Sequence, residues 1–307
     1  MVYLSGFLLL LVLAVFISHF RSRAQAAKTA QQLTNFKHLP TFNCYQETTP
    51  KISLTKNNQK FPHFVLLLHG FGSAPHDFDY LCTLLDAHNI PYYAPVLTGH
   101  GLSDLHIFEK AQRKDWLRDT FNAYDIAAVL GDKVSVIAHS TGTPLAIHLA
   151  QHKPLEHLII TGPNLAEAQT NHFLTQILMH PLTQNIFLFT LPYYTKPIKP
   201  NRVTYVDTCD PAGAKTTFSY RYLPLKTVLQ MSLLRANIDL SSPMHIKDLT
   251  ILYGKQDLTV NVQAGLERLK RHGIAFKAIP FERSGHNLLK DYDKDEAVKQ
   301  ILEILAT

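Results

Sequence analysis

Short runs of apolar residues alternate with helical patterns from residue 61 onwards. The first run, residues 64–68, reads Phe-Val-Leu-Leu-Leu and ends at His-Gly, as expected of a strand that is buried on both faces. Similar runs follow at 92–95, 134–140, 158–160, 250–253 and 275–281. Helical patterns separate or follow them, at 78–87, 113–130, 145–150, 262–271 and 295–305. This alternation predicts an α/β fold with a doubly wound, mostly parallel sheet and helices on both faces.

The alternation is interrupted between residues 165 and 245, where apolar helical patches surround a proline-rich stretch at 192–200. A compact α/β domain seldom contains a connection of this length unless the connection has a function. We therefore expect a cap insertion at about 165–245 that covers the active site. The residues before 61 are expected to add an antiparallel hairpin at the edge of the sheet.

The N-terminal segment differs from the rest of the chain, because residues 2–20 contain no formal charge and are mostly apolar. About 20 apolar residues in a helix cross a bilayer. Two interpretations compete. Ala-Gln-Ala at 24–26 resembles a signal-peptide cleavage site. However, the basic residues Arg21 and Arg23 follow the apolar run and none precedes it, which favours an uncleaved anchor with the catalytic domain in the cytoplasm. The predicted parts are a transmembrane anchor or signal segment at 1–20, a linker at 21–40 and a globular domain at 41–307.

The composition is that of a globular protein, since 46% of the 307 residues are apolar and 18% are charged. The formal net charge of +6 is spread along the chain without a basic block, so we predict no binding to nucleic acid. Cys44, Cys82 and Cys209 match neither a zinc motif nor a disulfide framework. We therefore expect free thiols, no metal and no organic cofactor.

One pentapeptide, Ala-His-Ser-Thr-Gly at residues 138–142, lies between the β-branched run 134–137 and an apolar helical pattern. A serine between small residues at a strand-to-helix turn is held on a strained turn that exposes its hydroxyl group. Ser140 is therefore the candidate nucleophile. The usual pattern has glycine at both small positions, and Ala138 occupies the first of them here.

A serine hydroxyl group becomes a good nucleophile when a base removes its proton and a carboxylate orients that base. Asp257 follows the predicted strand at 250–253, and His286 follows the predicted strand that ends at residue 281. Because the carboxyl ends of parallel strands meet at one edge of a sheet, we expect these side chains to converge. Ser140, Asp257 and His286 are the predicted catalytic triad.

The oxyanion that forms during attack needs hydrogen-bond donors. We predict the backbone amides of Phe71 and Thr141, because Phe71 follows the first central strand and Thr141 follows the nucleophile. His69 and His100 are further candidates for the rim of the substrate site. For both histidines, a structural role within their loops is the favoured interpretation.

These motifs resemble the α/β-hydrolase superfamily, and in particular its branch of monoglyceride lipases, lysophospholipases and bacterial carboxylesterases, often grouped with serine aminopeptidase-type hydrolases. The resemblance covers about residues 61–290. It rests on His-Gly-Phe-Gly at 69–72, Gly-His-Gly-Leu-Ser at 99–103, the pentapeptide, Asp257 and His286. It implies an eight-stranded sheet with a helical cap after the sixth strand.

The motifs together predict a serine carboxylic-ester hydrolase that forms an acyl-enzyme. The apolar cap and the membrane segment favour a lipidic ester, such as monoacylglycerol or lysophospholipid, as the substrate. The alternatives are a short-chain carboxylesterase, a peptidase, a thioesterase or an acyltransferase on the same scaffold, and a catalytically inactive membrane-bound binding protein. The presence of all three triad residues favours an enzyme. The oligomeric state is left open.

Overall fold

The computed structural model describes residues 38–39, 44–45, 51–53, 60–168 and 175–307. The predicted membrane segment at 1–20 and most of the predicted linker lie outside these residues. Within the described ranges, no helix combines the length and the apolar character that a bilayer span requires.

In chain order, the strands are β1 (His38–Leu39), β2 (Cys44–Tyr45), β3 (Lys51–Ser53), β4 (Phe61–Leu68), β5 (Tyr92–Ala94), β6 (Gly131–His139), β7 (Leu155–Thr161), β8 (Tyr193–Thr195), β9 (Tyr222–Pro224), β10 (Ile246–Gly254) and β11 (Lys277–Phe281). The α-helices with defined bounds are α1 (Asp79–Ala87), α2 (Leu105–Lys110), α3 (Arg113–Leu130), α4 (Gly142–Ala150), α5 (Pro181–Thr190), α6 (Pro211–Thr216), α7 (Leu225–Ala236), α8 (Val262–Arg271) and α9 (Lys294–Leu305). Two 3₁₀ helices occur at Pro75–Phe78 and Leu288–Lys290.

The main sheet has the strand order β11-β10-β7-β6-β4-β5-β3. All neighbouring pairs are parallel except β3 and β5, which are antiparallel. The predicted mostly parallel α/β sheet is therefore confirmed. The described residues contribute seven strands to it, whereas the resemblance implied eight. The expected edge hairpin is also different, because β3 alone forms the antiparallel edge and β1 and β2 pair with each other.

Both faces of strand β4 are buried, which explains why its apolar run is continuous. Phe64, Leu66 and Leu68 belong to one buried cluster, which also contains residues of α3 and α4. Val65 and Leu67 belong to a second buried cluster, which contains residues of α1 and α9. Successive side chains of a strand point to opposite faces, so a sheet with helices on both sides needs apolar residues at every position.

The connection between β7 and β10, residues 162–245, contains α5, α6, α7 and the antiparallel pair β8–β9. We call this connection the cap. Helix α7 packs against α2 and α3, so the cap is attached to the body of the domain. The prediction of a helical cap did not include the β8–β9 pair, because strands of three residues are too short to give a periodic signal. In the described sheet five strands, β3 to β7, precede the cap, whereas the resemblance implied six.

Candidate active site

Ser140 lies at the turn between β6 and α4, and its φ of +52° places it in the left-handed region. This conformation is unfavourable for a residue with a side chain and occurs mainly where surrounding structure enforces it. Here the Ser140 amide donates to the carbonyl of Thr161 on β7 (3.0 Å), and the Ser140 carbonyl accepts from the Thr143 amide (2.9 Å). Both bonds hold the turn and leave the hydroxyl group on the side of the cavity described below.

The two small residues of the pentapeptide have different structural roles. A Cβ atom at Gly142 would lie 2.4 Å from the carbonyl oxygen of Leu68, so only glycine fits where α4 starts beside β4. Ala138 is fully buried in β6, where its register partners are Leu68 on β4 and Ile160 on β7. The alanine methyl group is therefore part of the packed core, and the turn forms without glycine at this position.

Ser140, His286 and Asp257 are connected by hydrogen bonds. His286 Nε2 lies 2.9 Å from Ser140 Oγ, and His286 Nδ1 lies 2.7 Å from Asp257 Oδ2. Since a carboxylate only accepts, the imidazole proton belongs on Nδ1, and Nε2 is free to accept the serine proton. The second carboxylate oxygen of Asp257 accepts from the amides of Thr259 (2.7 Å) and Val260 (3.0 Å), which fixes the acid in place.

The amides of Phe71 and Thr141 both belong to residues that line the same cavity as Ser140. Within the described part of the chain, neither amide has a hydrogen-bond acceptor. Thr141 immediately precedes α4, whose N-terminus carries a partial positive charge. The loop of Phe71 is held by Asp77, whose carboxylate accepts from the Gly70 amide at 3.3 Å. Both amides thus remain available to an anionic oxygen beside Ser140.

A cavity of about 1020 Å³ lies between the cap and the carboxyl edge of the sheet, and Ser140 and His286 form part of its wall. This volume is at the upper end of the range for small-molecule sites. The cap contributes apolar side chains to the wall, among them Phe218, Leu223, Val228 and Met231. The space is therefore suited to a ligand with a large apolar part.

A family model described as the alpha/beta hydrolase family matches residues 65–300, which is more than three quarters of the chain. The chain belongs to the alpha/beta hydrolase family.

Solved structures of lipases and esterases share the fold of this alpha/beta hydrolase. A metagenome-derived lipolytic enzyme superposes with a TM-score of 0.66 at 17% identity, covering 88% of this chain and 99% of its own. The monoacylglycerol lipase of Paleococcus ferrophilus superposes with a TM-score of 0.62 at 18% identity, covering 80% of this chain and 95% of its own. A thermostable carboxyl esterase from Bacillus coagulans superposes with a TM-score of 0.66 at 15% identity, covering 84% of this chain and 98% of its own.

His69 and His100 of this hydrolase do not line the cavity. His69 is fully buried; its Nε2 accepts from the Leu97 amide (3.0 Å), so its Nδ1 carries the proton and donates to the Gly70 carbonyl (2.9 Å). His100 packs among aromatic rings that include Phe71 and Trp116. Burial lowers the pKa of both histidines. These histidines hold the loop behind Phe71, which is the structural role favoured above, and neither lies at the rim of the cavity.

The sequence analysis did not single out Asn287, which orients His139 inside the turn. His139 Nε2 lies 3.2 Å from Asn287 Oδ1, and Nδ1 lies 3.1 Å from Thr161 Oγ1. The amide oxygen only accepts, so Nε2 donates to it. Nδ1 also lies 3.2 Å from the carbonyl oxygen of Thr161, so Asn287 and Thr161 together fix the orientation of the ring. Asn287 directly follows His286 in the chain, and this adjacency was the one signal that sequence offered.

A buried ion-pair cluster joins the cap to the loop of Asp257. The carboxylate of Asp207, which is 3% exposed, accepts from Arg202 Nε (2.7 Å), from Lys199 Nζ (3.3 Å) and from the Leu258 amide (2.7 Å). Burial alone would raise the pKa of Asp207, but Lys199, His286 and Arg202 lower it more. The carboxyl group therefore stays ionised. No local motif marks this cluster, because its members come from segments about fifty residues apart.

Proposed function

We propose that this protein is a serine carboxylic-ester hydrolase in which Ser140, His286 and Asp257 form the catalytic triad. The observation that supports this most directly is the pair of hydrogen bonds from Asp257 through His286 to Ser140 at the wall of the cavity. The strained backbone of Ser140 and the two unengaged amides beside it add to that support.

In the proposed reaction, Ser140 Oγ attacks the ester carbonyl carbon while His286 Nε2 takes the serine proton. The carbonyl oxygen becomes an oxyanion and accepts from the amides of Phe71 and Thr141. His286 then gives its proton to the leaving alcohol, which leaves an acyl group on Ser140. Water attacks the acyl carbon while His286 takes its proton; the bond from this carbon to Ser140 Oγ then breaks, His286 returns the proton to Ser140 Oγ, and the carboxylic acid is released. Asp257 keeps the imidazole in the reactive tautomer and stabilises its charged form.

We further propose a lipidic ester, such as a monoacylglycerol or a lysophospholipid, as the substrate. The cavity has an apolar cap side, and α5 exposes apolar side chains at its surface, with Leu182 79% and Ile186 62% exposed. The lipolytic enzyme and the monoacylglycerol lipase that share the fold agree with this choice. We also propose that residues 2–20 anchor the protein in a membrane with the catalytic domain on the cytoplasmic side.

Labelling with a fluorophosphonate probe tests the catalytic role of Ser140. We expect the probe to modify the protein at Ser140 and Ser140→Ala to lower kcat on the order of 10⁴- to 10⁶-fold. Ser232→Ala is the matched control, since Ser232 also lines the cavity and its hydroxyl group has no partner among the described residues. Folded protein that remains unlabelled would instead indicate a binding protein on an inactive scaffold.

The substrate class is tested by comparing monoacylglycerols, lysophospholipids and p-nitrophenyl esters of short and long acyl chains. A higher kcat/KM for long chains supports the lipidic substrate. A preference for short chains would replace it with a general carboxylesterase. Faster cleavage of amides or thioesters, or transfer of the acyl group to an added alcohol, would point to the other reactions that this scaffold supports.

A further inference from the structure

Among the residues that the structure describes, four lysine and arginine side chains line the cavity: Lys196, Lys199, Arg235 and Lys255. Three of them have carboxylate partners, in the ion pairs Lys199–Asp207 (3.3 Å), Arg235–Glu167 (2.9 Å) and Lys255–Glu282 (2.6 Å). Lys196 forms no ion pair with any residue that the structure describes. The cavity therefore contains one ammonium group that has no carboxylate of the described chain within ion-pair distance.

Hydrogen bonds place Lys196 beside the loop of the candidate oxyanion donor Phe71. Lys196 Nζ donates to Ser219 Oγ at 2.6 Å, and Ser219 Oγ donates to the carbonyl of Gly72 at 3.2 Å. A Cβ atom at Gly72 would lie 3.7 Å from Lys196 Nζ. The ammonium group is thus next to the residue that follows Phe71. Its hydroxyl partner is neutral, and an ammonium group has three donors, so further acceptors fit there.

The surroundings of Lys196 are unfavourable for an isolated charge. The pKa of Lys196 is lowered to about 7, mainly by burial and also by the positive charge of Lys199, whereas the carboxylate of Asp77 opposes the shift. The positive charge of Lys196 also acts on the buried His100. A ligand anion beside the ammonium group would offset the loss of hydration and favour the charged form. A methionine or leucine at position 196 would fill the same space without carrying a charge that has to be offset.

We propose that Lys196 is a specificity residue that binds an anionic group of the substrate, either a phosphate or a carboxylate. The inference rests on the proposed ester-hydrolase function and narrows it to esters that carry a negative charge. A phosphate would belong to the alcohol side of the ester, as in an anionic lysophospholipid. A carboxylate would belong to the acyl side, as in the half-ester of a dicarboxylic acid.

Two substrate pairs test the proposal and separate these sources. The first compares lysophosphatidylglycerol with the monoacylglycerol of the same acyl chain. The second compares the monomethyl and dimethyl esters of one dicarboxylic acid. In one of the two pairs, we expect Lys196→Met to lower kcat/KM for the anionic member about 10- to 100-fold, as for other hydrogen bonds to charged groups. The neutral member should change less than about threefold, within the non-additivity of single substitutions.

Lys255→Met is the matched control, because Lys255 also lines the cavity but is paired with Glu282. It should leave the ratio of anionic to neutral kcat/KM unchanged. If Lys196→Met lowers both members of each pair equally, or neither, the proposal is overturned. Wild-type protein that cleaves no substrate of either pair would overturn the proposed function instead, so the two failures are distinguishable.

The wild-type protein supplies a measurement that needs no variant. Because Lys196 loses its charge as the pH rises through about 7, the anionic-to-neutral ratio of kcat/KM should fall over that range. A ratio that stays constant from pH 6 to pH 9 would contradict the role of Lys196.

Discussion

At the scale of single residues, His139 shows how the chain keeps a second imidazole close to His286 without adding charge. The two ring centres lie 5.0 Å apart. Burial lowers the pKa of His139 to about 4; Asp77 opposes this shift and His286 adds to it. His139 is thus neutral at physiological pH. In the proposed reaction a charged His139 would repel the imidazolium form of His286, so the low pKa of His139 favours proton transfer from Ser140.

The low pKa of His139 predicts a loss of stability in acid. The pKa is about 4 in the folded protein and about 6.5 in the unfolded chain, so the unfolded state binds the extra proton between these values. The stability from neutral His139 is present above pH 6.5 and is lost as the pH falls towards 4. For this residue alone, the loss between pH 7 and pH 5 is about 2 kcal/mol.

Urea unfolding at pH 8, 7 and 5 checks this prediction in the wild type and in His139→Gln. The free energy of unfolding of the variant should fall by about 2 kcal/mol less between pH 7 and pH 5 than that of the wild type, because glutamine does not titrate. Between pH 8 and pH 7 the free energy of unfolding should change equally in the two proteins, which serves as the internal control. An equal loss in both proteins between pH 7 and pH 5 would show that another group is responsible.

Single residues also show where sequence reasoning about the site succeeds and where it stops. Ser140, Asp257 and His286 each follow a strand, and parallel strands bring their carboxyl ends together, so their proximity is predictable. For His69 and His100 a structural role was the favoured interpretation, but their partners are not predictable, because a glycine-flanked loop does not reveal which way its side chains point. Their burial depends on packing against rings from α2 and α3, which local sequence does not encode.

At the scale of elements, the cap is more than a cover, because Asp207 connects it to the loop after β10. Asp207 binds the Leu258 amide and also accepts from Thr259 Oγ1 at 2.8 Å. The Thr259 amide in turn donates to Asp257. Arg202 adds a second connection, since its Nη2 donates to the carbonyl of Gln256 at 2.6 Å. The position of the candidate catalytic acid thus depends on the cap.

Asp207→Asn tests this connection. The substitution leaves Arg202 and Lys199 without their carboxylate, and breaking a buried ion pair on one side costs about 3–5 kcal/mol of unfolding free energy. We also expect a lower kcat, because the uncharged amide group holds Arg202 and the loop of Asp257 less firmly than the carboxylate does. Chemical denaturation and hydrolysis of a soluble ester measure the two effects.

Asp210→Asn is the control in the same segment of the cap. Asp210 caps α6 by accepting from the Ala212 amide and makes no contact with the loop of Asp257. Asp210→Asn should lower the free energy of unfolding by about 1 kcal/mol or less and leave kcat unchanged. If Asp207→Asn behaves like Asp210→Asn, the cap does not support the acid loop.

At the scale of the whole molecule, the layered architecture was predictable because it is repeated along the chain. Each central strand is covered on both faces and therefore gives a continuous apolar run, as β4 and β7 do. The interior of the cap was not predictable. Its strands are short, and its contacts to the body, such as α7 against α2, join segments more than one hundred residues apart. The number of strands implied by the resemblance also exceeded the seven that the described residues form.

The proposed membrane attachment makes a prediction for the full chain. Residues 2–20 reach the length of a bilayer span, and the cap presents exposed apolar side chains on α5 and at Ile198, which lines the cavity. A protein held at a bilayer by the first segment would bring the mouth of its cavity close to lipid esters. The N-terminal segment and the exposed apolar side chains of the cap would together bind a membrane more strongly than either alone. Removal of the N-terminal segment should therefore release the protein.

We expect the full chain to sediment with lipid vesicles and a chain that lacks residues 1–20 to remain in the supernatant. The shortened chain should hydrolyse a soluble short-chain ester at the wild-type rate, because the candidate site lies entirely between residues 70 and 287. Its rate on monoacylglycerol in vesicles should fall, since the substrate and the enzyme no longer share a surface. A full chain that stays in the supernatant would refute the anchor. Mature protein that begins at Ala27 would identify the segment as a cleaved signal peptide and place the enzyme outside the cytoplasm.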